Sequence, residues 1–281
     1  MNGIVDAHVH VASPDHRRYP RGDAFPNAPQ FAGPIEEFEA ASQSRGVVQA
    51  VLVQPSQYGF ANTYLIEAAR SRPECYAGMA LVDPADPRAD EVLAELVSSG
   101  VGAIRLGPNF NDGRDWLGET AEPLFRRAQE LAVVGNLFIR PAHLPAVETW
   151  LEAHRGLTVV IDHLARPDLA EDDPLEAVRR LSRLARFERL YVKVSALPAI
   201  SKQPYPHRDT WAWIRVVENA FGAARLMWGA DFPMTADGTN YGRSLELIQL
   251  ATEHMNEHER LSLLAETARA VYHLPEERRL T

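Results

Sequence analysis

The 281-residue chain has a single cysteine, Cys75, so it can form neither an intrachain disulfide nor a cysteine-built zinc site. It also lacks a basic excess: 29 Lys+Arg against 38 Asp+Glu leave a formal charge of −9. Nucleic acid or an anionic membrane would call for the opposite sign. No apolar run approaches the ~20 residues of a membrane-spanning helix. The N-terminal Met1-Asn2-Gly3-Ile4-Val5-Asp6 has neither the basic nor the apolar region of a secretory signal. Internal repeats, low-complexity tracts and inter-domain linkers are missing as well. These absences predict a cytoplasmic protein that acts on a small molecule, with no nucleic-acid or membrane partner. Its oligomeric state is left open.

What is present is an ordinary globular balance, 46% hydrophobic and 24% charged. Short apolar runs alternate with amphipathic patterns along the whole chain. The runs are Ile4–His8, Val48–Val53, Cys75–Leu81, Gly102–Leu106, Leu137–Arg140, Thr158–Asp162, Leu190–Val194 and Arg225–Trp228. Most are continuously apolar, as expected of strands covered on both faces in a parallel sheet. Helical patterns lie near 35–45, 62–71, 88–99, 121–134, 145–154, 174–185, 209–221 and 242–254, with one more at 257–271. Eight strand–helix pairs predict one α/β domain over residues 1–281, a single (β/α)8 TIM-type barrel with an extra C-terminal helix. A doubly wound open sheet is the alternative, since strand count alone does not show closure.

The connections are asymmetric. Helix-to-strand links are short and carry Gly46, Gly100, Gly135, Gly156 and Gly222, suited to a left-handed helix stop. Strand-to-helix links at 11–34, 107–119, 195–208 and 230–241 are long and rich in Pro, Gly and Asp. Long loops therefore gather at the C-terminal ends of the strands, where barrel enzymes carry their chemistry.

Polar residues stand where those strands end. In Asp6-Ala7-His8-Val9-His10 the two histidines are two apart, so on a strand they share a side and can converge on one atom. Converging imidazoles can hold a divalent metal or donate to a developing oxyanion. An isolated His-x-His is as often one core histidine beside one surface histidine, but this one opens the longest loop. Ile161-Asp162-His163 delivers His163 after the sixth run, and Trp228-Gly229-Ala230-Asp231 delivers Asp231 after the eighth. In a closed barrel the first and eighth strands are neighbours, which sets Asp231 beside the histidine pair. Arg105, Arg140 and Arg166 end or follow strands 4, 5 and 6, and Arg17, Arg18 and Arg21 lie in the first loop. Such clustering suits recognition of a carboxylate, although some arginines are expected to pair with scaffold carboxylates such as Asp83 or Asp162. His207 lies where it could reach substrate, whereas Cys75 reads as a small buried hydrophobe.

With these residues the chain resembles the amidohydrolase superfamily, in the branch of the pyrone-dicarboxylate and sugar-acid lactonases. The likeness runs through Asp6–His10, Val51-Leu52-Val53-Gln54-Pro55-Ser56, Gly102–Leu106, Val160–Pro167, Val192-Lys193-Val194-Ser195, Trp228–Pro233 and Thr267–Tyr272. It implies a distorted (β/α)8 barrel and hydrolysis of a lactone C–O bond. By that resemblance Asp231, His8, His10 and His163 are the catalytic set and, where a metal is used, its ligands. Zn or Mn is the implied ion, though some members work without one. Arg105 and Ser56 match substrate-contacting positions, Tyr19 a first-loop tyrosine, and Arg140 and Arg166 are added as candidate anchors. Three departures stand out: Arg140 followed by His143 at strand 5, Ala199 where an arginine is common, and Phe232-Pro233-Met234 after Asp231. The expected substrate is therefore a small acidic or sugar-derived lactone other than the pyrone dicarboxylate. A metal-dependent decarboxylase of an aromatic or muconate-type acid, and a non-catalytic binder, are the alternatives.

Overall fold

Runs rich in Val, Ile and Leu fit a sheet covered on both faces, because branched side chains pack well on a pleated surface. The computed structural model describes residues 3–110, 116–167, 173–233 and 240–276. Its strands are β1 (Ile4–His10), β2 (Val47–Val53), β3 (Tyr76–Leu81), β4 (Val101–Leu106), β5 (Val134–Leu137), β6 (Val159–Ile161), β7 (Leu190–Ser195) and β8 (Leu226–Gly229). Between them run α1 (Ile35–Ser42), α2 (Thr63–Ser71), α3 (Ala89–Ser98), α4 (Glu122–Glu130), α5 (Leu144–Ala153), α6 (Pro174–Ser182) and α7 (Trp211–Phe221). After β8 come α8 (Tyr241–Ala251), α9 (Glu257–Leu261) and α10 (Thr267–Val271), the last two joined by a π-helical turn over Ser262–Glu266.

The strands pair in chain order, each parallel to the next. The ends of the sheet meet at a thinner seam. Val9 bridges Phe232, the His10 amide donates to the Phe232 carbonyl at 2.7 Å, and the Asp231 amide donates to the His8 carbonyl at 2.9 Å. The barrel predicted from the sequence is the barrel observed, and the open sheet is excluded.

Two apolar layers follow from the alternation. Val5, Ala7, Val51, Val53, Met79, Ala103, Val134, Val160 and Met227 pack together inside the barrel. Ala265, Ala268, Val271, Tyr272 and Leu274 of the C-terminal segment join them, so this segment plugs the end away from the long loops. Arg269 ties the plug down by donating to Gln49 Oε1 at 2.7 Å and to the Gly3 carbonyl at 2.6 Å. The complementary strand positions, such as Val9, Leu52, Ile104 and Val192, pack outward against the helices.

One strand lies elsewhere than expected. The fifth strand is Val134–Leu137 rather than Leu137–Arg140, so Gly135 belongs to the strand and pairs between Ile104 and Val159. The run Leu137-Phe138-Ile139 suggested a later strand, but the buried Asn136 points inward and is satisfied there by other polar groups. Among the helix stops, Gly46, Gly100 and Gly222 take a positive φ (74°, 91° and 74°), and Gly46 is in the left-handed helical region. The long loops 107–119 and 230–241 are described only in part; Met234 lies outside the described residues.

Candidate active site

A bulge in β1 aims the histidine pair. The register with β2 shifts between Asp6 and Val9, and the inward side changes from Val5 and Ala7 to His8 and His10. A bulge of this kind re-aims a side chain at a strand end. The two imidazoles converge as the spacing predicts, Nε2 to Nε2 at 3.3 Å. Asp6 therefore faces the seam, where its carboxylate accepts from the His8 amide at 3.0 Å, the Ala230 amide at 2.9 Å and the Tyr241 hydroxyl at 2.9 Å. Burial pushes the Asp6 carboxyl up to about 7 against the pull of those donors.

His163 and Asp231 arrive on strained backbone. His163, Leu164, Ala165 and Arg166 have φ of 54°, 56°, 58° and 51°, a turn of left-handed sense directly after β6. Asp231 has φ 62°. Each such L-residue costs roughly 1–2 kcal/mol. Strain of this kind gathers at functional sites, where the surrounding structure over-determines it. The outcome is a cluster: Asp231 Oδ1 lies 3.6 Å from His8 Nε2 and 3.5 Å from His10 Nε2, and the His8 and His163 rings are 4.5 Å apart.

Below this cluster, a column of buried polar groups fills the barrel. Arg105 Nε donates to Asp162 Oδ2 at 2.9 Å, Asn136 Nδ2 to Asp162 Oδ1 at 3.2 Å, and Lys193 Nζ lies 3.3 Å from the same Oδ1. Asn136 also donates to the Tyr272 hydroxyl at 2.9 Å, which links the C-terminal plug to the site. Sequence reasoning named Asp162 as a possible arginine partner but gave Asp6, Asn136, Lys193, Ser195 and Tyr272 no role. The available signal was polarity at inward positions: Lys193 and Ser195 alternate in an otherwise apolar β7.

The column sets the charge states above it. Burial, then Lys193, hold the His8 imidazolium form well below its ordinary 6.5, and burial lowers His163 to about 4, so both are neutral at pH 7. A guanidinium can only donate, so His163 Nε2, 3.4 Å from Arg105 Nη2, accepts, and its Nδ1–H donates to Ser195 Oγ at 2.7 Å. Burial alone would lift the Asp231 carboxyl, but His163, His10 and His8 more than offset this and hold it below the usual carboxylate range.

The cluster floors a cavity of about 830 Å³. His10, Ser56, Arg105, His163, Arg166 and Asp231 line it, with Phe25, Phe31, Phe110 and Phe138 as an aromatic wall. Gln57 holds the first loop over the mouth, accepting from the Phe31 amide at 3.0 Å and donating to the Phe31 carbonyl at 3.1 Å. Arg105 and Arg166 flank the Phe138 ring at 4.5 and 5.5 Å. Other predicted substrate contacts stand apart from the cavity. Tyr19 is buried behind the first loop with its hydroxyl on Glu67, and Arg140 is exposed beyond the end of β5. His207 turns into its own loop, with Nδ1 2.7 Å from the Gln203 carbonyl.

Among the described residues, His8, His163 and Asp231 each offer one ligand atom, all within 4.8 Å of one another. In donor type and spread they fit a divalent ion bound through two imidazoles and a carboxylate. His10, predicted as a fourth ligand, falls outside that set.

The family model described as Amidohydrolase matches residues 5–274. The chain belongs to this family, and it is a hydrolase. It is 27% identical over 220 residues to an L-fucono-1,5-lactonase of Burkholderia ambifaria, covering 74% of this chain and 72% of that one. It is 25% identical over 232 residues to a 4-sulfomuconolactone hydrolase of Rhizobium radiobacter, covering 82% and 76%. A solved Pseudomonas putida structure, described as a candidate 2-pyrone-4,6-dicarboxylic acid hydrolase, superposes with a TM-score of 0.84 at 28% identity, over 99% and 100% of the chains. A 2,6-dihydroxybenzoate decarboxylase from Rhizobium lies further off, with a TM-score of 0.71 at 15% identity over 98% and 99%, a likeness of fold alone.

Proposed function

We propose that this amidohydrolase-family barrel opens a small lactone bearing an acidic group, with Asp231 as general base. The observation that carries the reading is Asp231 Oδ1 within 3.6 Å of both His8 and His10, on the floor of a cavity that also holds Arg166 and Ser56. Relatives that act on a sugar lactone and on a muconolactone support the substrate class; the decarboxylase likeness reaches only the fold.

In this mechanism Asp231 takes a proton from water as the oxygen attacks the lactone carbonyl. General-base help of this kind is typically worth ~10²–10⁴-fold. The tetrahedral oxyanion forms above the histidine floor, with the Arg105 guanidinium and His8 as its donors; one well-placed donor is worth roughly 3 kcal/mol. The ring C–O bond then breaks, Asp231 returns its proton to the leaving oxygen, and a hydroxy acid is released. Arg166 and Ser56 hold the acidic substituent. Where Zn or Mn is bound, His8, His163 and Asp231 would hold it, and it would polarise the carbonyl and acidify the water.

Among the described residues no helix is long and apolar enough to cross a membrane. A cytoplasmic enzyme handling a small acid fits the single, buried Cys75.

The test is acid release from a panel of sugar lactones and unsaturated acidic lactones. The Asp231→Asn variant is expected to lose at least 100-fold in kcat/KM while circular dichroism shows an unchanged fold. Near-wild-type turnover by that variant would sink the assignment. Elemental analysis and assay after chelation decide the metal: full activity without metal excludes a metal-dependent decarboxylase.

A further inference from the structure

The proposed chemistry gives no work to Lys193, which is fully buried in the barrel beneath His8. An ammonium has three hydrogens and no lone pair. Around its Nζ stand Asp162 Oδ1 at 3.3 Å, His8 Nδ1 at 3.3 Å and the Tyr272 ring, its centroid at 5.4 Å. Two acceptors and one π face match three N–H groups.

His8 Nδ1 has a second neighbour, Asp162 Oδ1 at 3.5 Å, and the two neighbours demand opposite tautomers. Facing the lysine, Nδ1 must be a lone pair, which puts the proton on Nε2. Facing the carboxylate, Nδ1 must carry the proton, which leaves Nε2 bare. The shorter contacts decide. Asp162 Oδ1 already faces Asn136 at 3.2 Å and Lys193 at 3.3 Å, and Oδ2 takes Arg105 at 2.9 Å, so the carboxylate is supplied without His8. His10 agrees: its Nδ1 donates to the Val53 carbonyl at 2.9 Å, so a neutral His10 offers a lone pair at Nε2, 3.3 Å from His8 Nε2.

We propose that Lys193 is a positioning residue that fixes His8 as the Nε2–H tautomer, making it a hydrogen-bond donor to the reacting carbonyl and a poor metal ligand. A metal-bound imidazole must present a lone pair, and its other nitrogen is then a donor. Charge acts in the same direction. Asp162 and Asp231 are balanced by Arg105 and Lys193, so only the buried Asp6, whose carboxyl is raised to about 7, is left to offset the charge of a divalent ion. Lys193 supplies the positive charge that the ion would otherwise bring.

The clause about the carbonyl rests on the lactonase reading; those about tautomer and metal do not. The full-length protein, 15N-labelled at histidine, is examined at pH 7 by long-range 1H–15N correlation, with the His8 signals identified by their loss in His8→Gln. Wild type is expected to show His8 protonated at Nε2. In Lys193→Met the proton is expected to move to Nδ1, against Asp162, and Zn²⁺ affinity by calorimetry is expected to rise at least tenfold. His8 protonated at Nδ1 in wild type would overturn the proposal, as would a Lys193→Met protein with unchanged tautomer or unchanged Zn²⁺ affinity. The wild-type spectrum needs no folded variant, so the proposal stays testable if Lys193→Met does not fold. Failure of the lactonase reading appears separately, as an active Asp231→Asn variant.

Discussion

Arg105 and Arg166 face the same cavity, yet their partners give them different work. Arg105 is buried and bound to Asp162, so its removal would expose the desolvation cost of an ion-pair partner, an effect of about 3–5 kcal/mol in buried pairs. Arg166 is half-buried, lies over Phe138, and has no carboxylate within ion-pair distance among the described residues. On the proposed lactonase reading it is the arginine that binds the substrate carboxylate. Arg166→Ala is therefore expected to raise KM for an acidic lactone about tenfold, in line with a charged hydrogen bond worth ~1.5–3 kcal/mol. Little change in kcat, and none in KM for an uncharged lactone, should accompany it. Steady-state kinetics on the two substrates check this; equal KM changes for both would move the anchor elsewhere.

Between elements, the decisive contact is the β1–β8 seam. A Cβ added at Gly229 would lie 2.7 Å from His8 Cβ and 2.9 Å from its backbone nitrogen, neither of which can swing away. Only glycine lets the two strands approach closely enough for Asp231 to meet both histidines. Gly229→Ala is expected to cost about 1–3 kcal/mol of stability through overpacking. A displacement near 1 Å at the site would lower kcat/KM by as much as ~10²-fold. Thermal unfolding and kinetics on one preparation test both; a fully active variant would show that the spacing of β1 and β8 is not what sets the site. Element placement also accounts for Arg140: with β5 ending at Leu137, this arginine lies past the mouth rather than in it.

On the scale of the whole molecule, folding forces His8 and His163 into a neutral state. The formal charge of −9 belongs to the whole chain, whereas the cavity presents arginines locally. Because burial lowers His163 to about 4, the unfolded chain binds a proton that the folded one refuses between pH 6.5 and 4. The stability this contributes is fully present above pH 6.5 and is lost as pH falls through 4, up to on the order of 3 kcal/mol. Urea unfolding at pH 7 and pH 4.5 should show a steeper loss for wild type than for His163→Gln. Parallel pH dependences would mean that His163 is not held neutral.

The sequence by itself determined the strand–helix alternation and seven of the eight strands. It also gave the shared side of His8 and His10 and the placing of His163 after the sixth strand and of Asp231 after the eighth, beside the histidine pair. Those features are local: periodicity and spacing fix which side of a strand a residue faces. The tertiary structure alone decided the start of β5, because Asn136 becomes acceptable in a strand only once Asp162 and Tyr272 are there to satisfy it. It alone separated Arg166 and Ser56, which line the cavity, from Tyr19 and Arg140, which do not. Lys193 and Asp6 gained meaning only there too. A buried charge is defined by partners far away in sequence, and no local pattern records which ones folding brings within 3–4 Å.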